Sequence, residues 1–454
     1  MLAKKSKKHL NMTQIIVIGF IVVIAVGTLL LMLPISSADG RSTTPLSALF
    51  TVVSASCVTG LTVVDTATHW STFGHVVILL LIQIGGLGFM TMAVLLSLLI
   101  KRAVTPKERM LVAMSYNLDS YGSTMQIVKR VALGTLAFEF LGACALSIRF
   151  IPDYGLANGI FKSVFHSVSA FCNAGFDTIG VGNPDITSLA YYTTDPVVML
   201  TLTVLIIVGG IGFIVWSDLI NLTATKRRLS VYTRFVLIIT AVLLTVGAVS
   251  FAVFEWNNPR TLGSLDSVGD KLLVCVFQSS TWRTAGFVTI PNYDFSQSSL
   301  LLGLVLMFIG GASGSTAGGV KVATVGVLVY TVWCIAIGKK RAIFRGRTIT
   351  EESFVRATSV ICVQLAAVIL GTLILSINSG LDIMNVLYEV VSAISTVGVS
   401  TGITPIVPTV SRIVLCFLMF FGRVGILTVT LAVLNNQSGT EPNVKYPEAK
   451  MLIG

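Results

Sequence analysis

Apolar stretches recur along the chain from about residue 14 to residue 435, separated by polar gaps, and their lengths fall into two classes. A stretch such as Ile15 to Leu33 holds ~20 residues, enough at about 1.5 Å per residue to cross a hydrocarbon core of roughly 30 Å. The shorter class cannot cross. Thr44 followed by Pro45 reads as an N-cap with proline at the first helical position, opening a helix over 45–57. A helix of that length must turn back inside the membrane. Beyond Gly60 a second crossing is predicted over 74–100, ending in the polar loop from Lys101 to Arg109. The order is therefore full span, half span, full span, and further half spans are predicted near 159–171, 269–281 and 383–395.

Four small-residue segments ending in glycine mark a repeat of that order: "SASCVTG" to Gly60, "SAFCNAG" to Gly175, "STWRTAG" to Gly286 and "SAISTVG" to Gly398. The glycines are spaced 115, 111 and 112 residues apart, and each has a serine six positions earlier: Ser54, Ser169, Ser280 and Ser392. One such segment would be weak evidence, but four at a near-constant period indicate a repeat architecture. A second mark follows in the next apolar run: "QIGGLG", "IVGGIG", "FIGGAS" and "FFGRVG", anchored at Gly85, Gly209, Gly310 and Gly422. The second repeat has a longer outer loop, "VGNPDITSLAYYTTDP". The fold class that follows is an all-α integral membrane protein of four tandem helix, pore-loop, helix repeats. It has eight full spans and four half-span pore helices around one pseudo-fourfold pore. The repeats are expected over 14–110, 120–230, 231–345 and 350–440, with a cytoplasmic tail over 441–454, all within one membrane domain spanning 1–454.

Composition supports the bilayer and the distribution of charge orients the chain in it. The sequence is 54% hydrophobic and 11% charged, with a mean hydropathy of +0.88, whereas soluble domains carry about 25% charged residues. The net charge of +11 is gathered in alternate gaps. Lys4, Lys5, Lys7 and Lys8 come first, followed by Lys101, Arg102, Lys107 and Arg109. Lys226, Arg227 and Arg228 form the third cluster, and Lys339, Lys340, Arg341, Arg345 and Arg347 the fourth. That is the positive-inside pattern, with both termini cytoplasmic, and it argues against a nucleic-acid-binding surface. The first apolar run follows a basic start and precedes "PISSADGRS", so it reads as a retained span rather than a signal peptide. The seven cysteines (57, 144, 172, 275, 334, 362 and 416) lack metal-ligand spacing and read as packing residues.

Non-helical backbone at membrane depth is tolerated only where protein buries it or water bathes it. Four such segments meeting on one axis satisfy this, and rings of backbone carbonyls can replace the water lost by a bare cation. Val58, Thr59 and Gly60 are the candidate ligands of the first repeat. Asn173, Ala174 and Gly175; Thr284, Ala285 and Gly286; and Thr396, Val397 and Gly398 are those of the others. Glycine suits the last position because left-handed backbone angles are cheap without a Cβ. The half helices also direct their partially negative C-terminal ends at the cavity, which favours cations. The same glycines could instead serve helix packing, a reading that leaves the half spans and the period unexplained. Asp65 and Asp177 stand close behind their filter segments, where they could concentrate cations or be ordinary loop carboxylates. Arg283 lies three residues before Gly286 and is expected to point behind the filter and pair with Glu389.

The third and fourth repeats differ in a way that suggests a gate. "GGASGSTAGG" interrupts the second crossing of the third repeat, and its residues Gly310, Gly311, Ala312, Ser313, Gly314, Ser315, Thr316, Ala317, Gly318 and Gly319 make a poor helix interior. In the fourth repeat, Arg423 occupies the place held by Gly86, Gly210 and Gly311. A buried arginine below the filter would oppose cations and could donate hydrogen bonds to the loop.

The chain resembles the Ktr/Trk/HKT superfamily of cation transporters, most closely the membrane subunit of bacterial Ktr potassium-uptake systems. The resemblance rests on "LMLPIS", "VTGLTVVDT", "IQIGGLGFMT", "FHSVSAFCNAGF", "RTAGF", "LMFIGGASGSTAGGVKV", "FGRVGILT" and "KYPEAKMLIG", and covers nearly the whole chain. It implies K+ uptake down the membrane potential across a bacterial plasma membrane, with K+ at the filter and Na+ as a stimulating ion. It also implies a homodimer docked on an RCK-type cytoplasmic nucleotide-binding ring that controls the 310–319 loop and its partner Arg423. The family pattern keeps one glycine per repeat with variable neighbours, and Cys57, Cys172 and Asn173 are local choices. A coupled secondary transporter with alternating access is the rival, since its broken helices would look like the 310–319 interruption, but parallel repeats favour a central pore. No organic cofactor is expected, because no phosphate-binding or dinucleotide fingerprint occurs. The histidines at 9, 69, 75 and 166 are scattered, which argues against an enzyme; His166 reads as a structural residue.

Overall fold

The computed structural model describes residues 12–88, 91–92, 94–95, 105–115, 124–179, 189–225 and 228–425. The basic N-terminus, Lys101, Arg102, Lys226, Arg227 and the 441–454 tail lie outside the described residues. Four long outer helices begin the four repeats: Met12–Leu31, Thr124–Tyr154, Val231–Glu255 and Glu351–Ser379. Each contains a stretch long and apolar enough to cross a membrane. Their outward side chains are apolar and bare, with Leu133 70%, Val253 71% and Ile377 82% exposed. Apolar exteriors on such helices are surfaces for lipid rather than water.

The half-span helices follow at Pro45–Ser56, Leu156–Phe171, Val268–Thr281 and Ile383–Ile394. They form the centre of the molecule, where Phe50, Phe165, Phe171, Phe277 and Tyr388 are completely buried. Thr44 does precede the first of them, with Pro45 opening it, but its hydroxyl donates to Ser47 Oγ instead of capping a backbone N–H. The inner helices are Thr72–Leu87, Pro196–Gly210, Gln297–Phe308 and Thr409–Val424. Ser71, Asp195 and Ser296 cap the first three through their side chains.

Each inner helix packs against the half-span helix of the next repeat, and the inner helix of the fourth closes on the half-span helix of the first. Four parallel units thus form a ring.

The second crossing of the first repeat, expected as one helix over 74–100, ends at Leu87. Gly88 there has φ +82°, a left-handed backbone that stops a helix and is cheap only for glycine. Gly212 (φ +92°) and Gly425 (φ +95°) are its equivalents. After Gly212 the chain resumes as Phe213–Thr225 with a bend of 96°. Interruption is therefore common to the inner helices. The third repeat differs in extent, since residues 309–321 separate Gln297–Phe308 from a further helix at Val322–Ala336.

On the side where the half helices begin, Glu255 ties the outer end of the third repeat together. Its carboxylate is completely buried. It accepts hydrogen bonds from Ser296 N and Oγ, Ser299 Oγ, Thr261 Oγ1 and Asn258 Nδ2. Glu255→Ala would take the acceptor from the buried Ser299 and Thr261 hydroxyls and from Ser296 N, at about 3 kcal/mol or more. A clear drop in the melting temperature of the detergent-solubilised protein is expected; an unchanged melt would contradict the assignment.

Candidate ion pathway

Beyond each half helix the backbone adopts the same unusual conformation. Val58, Asn173, Thr284 and Thr396, each two residues before a repeat glycine, have positive φ angles of 57°, 59°, 70° and 49°. Gly60, Gly175, Gly286 and Gly398 follow at 95°, 69°, 79° and 95°. Among the described residues only Arg345 shares this region with the four non-glycine residues. Each such residue costs about 1–2 kcal/mol, so its recurrence at one register in four repeats needs a compensating role.

The direction of the backbone hydrogen bonds points to that role. In repeats one, two and four the N–H groups turn back onto the half helix. Val58, Asn173 and Thr396 donate to Ala55 O, Ala170 O and Ala393 O, each at 3.1 Å. Thr59, Ala174 and Val397 donate to Ser54 O, Ser169 O and Ser392 O at 2.8, 2.7 and 2.9 Å. Among the described residues, none of the twelve carbonyls of 58–60, 173–175, 284–286 and 396–398 accepts a hydrogen bond. A buried, unpaired backbone carbonyl costs about 1–3 kcal/mol, which a dehydrated cation or water would offset.

The repeated serine supports these segments in more than one way. Ser54 Oγ accepts from Gly60 N at 3.0 Å and Ser392 Oγ from Gly398 N at 3.1 Å. Ser169 Oγ instead donates to Phe176 O. In the third repeat Ser280 turns back to Val276 O, while Thr281 donates to Phe287 O. The glycines themselves close the ring. A Cβ on Gly60 would lie 2.5 Å from Ala174 O, one on Gly175 2.7 Å from Ala285 O, one on Gly286 2.5 Å from Val397 O and one on Gly398 2.0 Å from Thr59 O. The contacts run from each repeat to the next and back to the first. The second mark, by contrast, is a packing device: a Cβ on Gly85, Gly209 or Gly422 would meet Ser56 O, Phe171 O or Ile394 O within 2.1 Å.

Below this ring lies the 310–319 segment, joined at its neck by a bridge between Ile309 and Val320. Ala312 N and Thr316 N donate to Gly210 O and Gly209 O, carbonyls left free where the second inner helix stops. Phe213 N donates in return to Gly314 O at 2.8 Å. The hydroxyl of Thr316 sits 3.1 Å from both Phe171 O and Asn173 Oδ1, directly under the second filter segment. Arg423 is half-buried, and its guanidinium donates to Thr316 O and to Gly85 O, with Gly86 O at 3.1 Å. One arginine therefore joins the loop of the third repeat to the inner-helix end of the first.

One expectation about charge needs correcting. Arg283 is buried but does not pair with Glu389: it donates to Gly310 O at 3.2 Å. Glu389 instead accepts from Ser400 Oγ and Thr404 Oγ1. The physical reason is local supply, since Gly310 O lies in the non-helical segment beyond Phe308 within reach of the guanidinium. Asp65 is an exposed N-cap, accepting from Ala67 N and Thr68 N, and Asp177 faces His166. Sequence reasoning named Thr316 only as part of the loop and missed the Gly85 and Gly86 carbonyls as partners of Arg423. The third glycine of "GGLG" and "GGIG" was the available signal for the free carbonyls.

Comparison with known proteins places this architecture. The family model described as TrkH, cation transport protein, matches residues 3–440. The chain belongs to this family. Across 99% of both chains it is 37% identical to the potassium/sodium uptake protein NtpJ of Enterococcus hirae. It is 39% identical to the Ktr system potassium uptake protein B of Bacillus subtilis, over 97% of this chain and 96% of the relative. The crystal structure of the potassium transporter TrkH from Vibrio parahaemolyticus has a TM-score of 0.71 and 20% identity, covering 95% of this chain and 86% of that one. Members of the TrkH family are membrane cation transporters, and this chain is one rather than an enzyme.

Proposed function

We propose that this TrkH-family chain is a potassium-uptake protein of the bacterial plasma membrane, conducting K+ inward through the ring formed at 58–60, 173–175, 284–286 and 396–398. The observation that carries the reading is the set of twelve carbonyls, on four segments that meet in a ring, without hydrogen-bond donors among the described residues. Backbone oxygens suit a dehydrated monovalent cation. The names of the relatives, which include potassium uptake and potassium/sodium uptake, support K+ as cargo and Na+ as a second or stimulating ion. No fuel is required, because one charge gains about 2.3 kcal/mol per 100 mV on entering a negative interior.

The 310–319 loop and Arg423 act in this proposal as the gate on the inner side of the ring. The membrane component forms a homodimer, and an RCK-type cytoplasmic ring that binds nucleotide controls the loop. The exposed basic hairpin Ile343–Phe344 with Arg347–Thr348 supports this reading, because the positive-inside pattern would put it on the cytoplasmic side.

Proteoliposomes with an imposed potential test the proposal. Rb+ uptake should follow the potential, fall to background when it is collapsed, and respond to Na+ and to the cytoplasmic partner. Absence of potential-driven uptake with and without the partner would refute it.

A further inference from the structure

Unpaired carbonyls that coordinate an ion must also be kept from collapsing or spreading; beyond the serine and threonine contacts present in every repeat, a further side-chain tie to the outer arm occurs in two of the four among the described residues. Nine residues before the glycines stand Thr51, His166, Phe277 and Glu389, all completely buried. Two residues beyond the glycines stand Thr62, Asp177, Val288 and Ser400. In the fourth repeat Glu389 Oε2 accepts from Ser400 Oγ at 2.7 Å, and Thr404 Oγ1 donates to Oε1. In the second, His166 Nδ1 lies 2.7 Å from Lys162 O and must donate to it. Its Nε2 in the neutral ring then accepts from the N–H of Thr178 at 3.4 Å, with Asp177 Oδ1 3.3 Å away, which it would engage only as the imidazolium. Both side chains thus reach from the half helix to the outer arm of their own filter segment, across the same register.

The remaining repeats lack this tie. Phe277 is apolar, and the hydroxyl of Thr51 donates to Ser47 O within its own helix. The order in which the glycines meet, first to second to third to fourth, sets the second and fourth repeats opposite one another. The polar ties therefore brace one diagonal of the ring.

We propose that His166 and Glu389 are positioning residues that hold the outer arms of two opposed filter segments and thereby set the preference for K+ over Na+. The proposal rests on the pathway reading above. A larger ion meets the carbonyls where the braced arms hold them, whereas a smaller ion requires the arms to move inward. Rigid cavity geometry then discriminates between them, and loosening it favours the smaller ion.

The test is the ratio of Rb+ to Na+ uptake into proteoliposomes, measured with protein abundance and gel-filtration profile. Glu389→Leu and His166→Leu should each lower the ratio by about threefold or more, the effect of losing a hydrogen-bonded support. Ser400→Ala combined with Thr404→Val removes the donors without touching the half helix and should do the same; it serves as the second route should Glu389→Leu fail to fold. Glu389→Gln keeps the shape and one acceptor, and should fall between wild type and Glu389→Leu. Phe277→Leu, at the same register without a tie, should leave the ratio within twofold of wild type. Folded variants at 389, 166 and 400/404 that keep the wild-type ratio would overturn the proposal while leaving the pathway intact. A ratio lowered equally by Phe277→Leu would also overturn it, by reducing the effect to general packing. A wild-type protein with no uptake of either ion would remove the pathway reading and this proposal together.

Discussion

Arg423→Ala raises K+ flux at least tenfold in folded protein, measured as initial Rb+ uptake under a fixed potential. Two losses act in the same direction. Thr316 O, Gly85 O and Gly86 O lose their charged donor, so the loop is no longer joined to the first repeat. A fixed positive charge is also removed from below the ring. At an effective dielectric of ~20 and a distance of ~8 Å, that charge opposes a monovalent cation by about 2 kcal/mol. Arg423→Lys keeps the charge but cannot fork across carbonyls of two elements, and should fall between wild type and alanine. Deleting residues 313–317 should match or exceed the alanine variant. Unchanged or reduced flux in well-folded variants would refute the gate.

Alanine at Gly398 or Gly60 should abolish selective uptake, with at least a tenfold loss of Rb+ flux at equal membrane abundance. Both positions hold φ +95°, a conformation a Cβ resists. At Gly398 the added carbon would sit 2.0 Å from Thr59 O of the neighbouring repeat, a candidate ligand. Since the contact is with backbone on both sides, no side chain can rotate away to relieve it. The damage therefore falls on the carbonyl ring itself. Alanine at Gly40, which has positive φ but open space around it, should leave flux within twofold.

The half-span helices were legible because length alone decides whether a helix can cross, and their predicted limits agree with the structure to within about three residues at each end. The register of the four positive-φ segments was legible because the glycine and the serine six positions earlier recur at a constant offset. What escaped was chemistry supplied by broken backbone. Glycines at 88 and 212 end inner helices, and carbonyls of the last turns then bind Arg423 and the 310–319 loop. The third glycine of each motif signals the break but not which group takes up those carbonyls. The same blindness produced the Arg283–Glu389 pairing: opposite charges suggested partners, whereas the arginine donates to a backbone oxygen and two hydroxyls donate to the glutamate. The hairpin at 343–348 is short and local, and its turn places Arg345 beside Gly346, both with positive φ, where the usual signal is Asn or Asp before glycine.

The central claim is that one monovalent-cation path runs through the twelve carbonyls. Anomalous diffraction from crystals grown in Tl+ or Rb+ tests it most directly. The account predicts density on the ring axis between the carbonyls of 58–60, 173–175, 284–286 and 396–398, and none at the level of Arg423 while the loop is in place. Ordered ions bound elsewhere, with that ring empty, would contradict it.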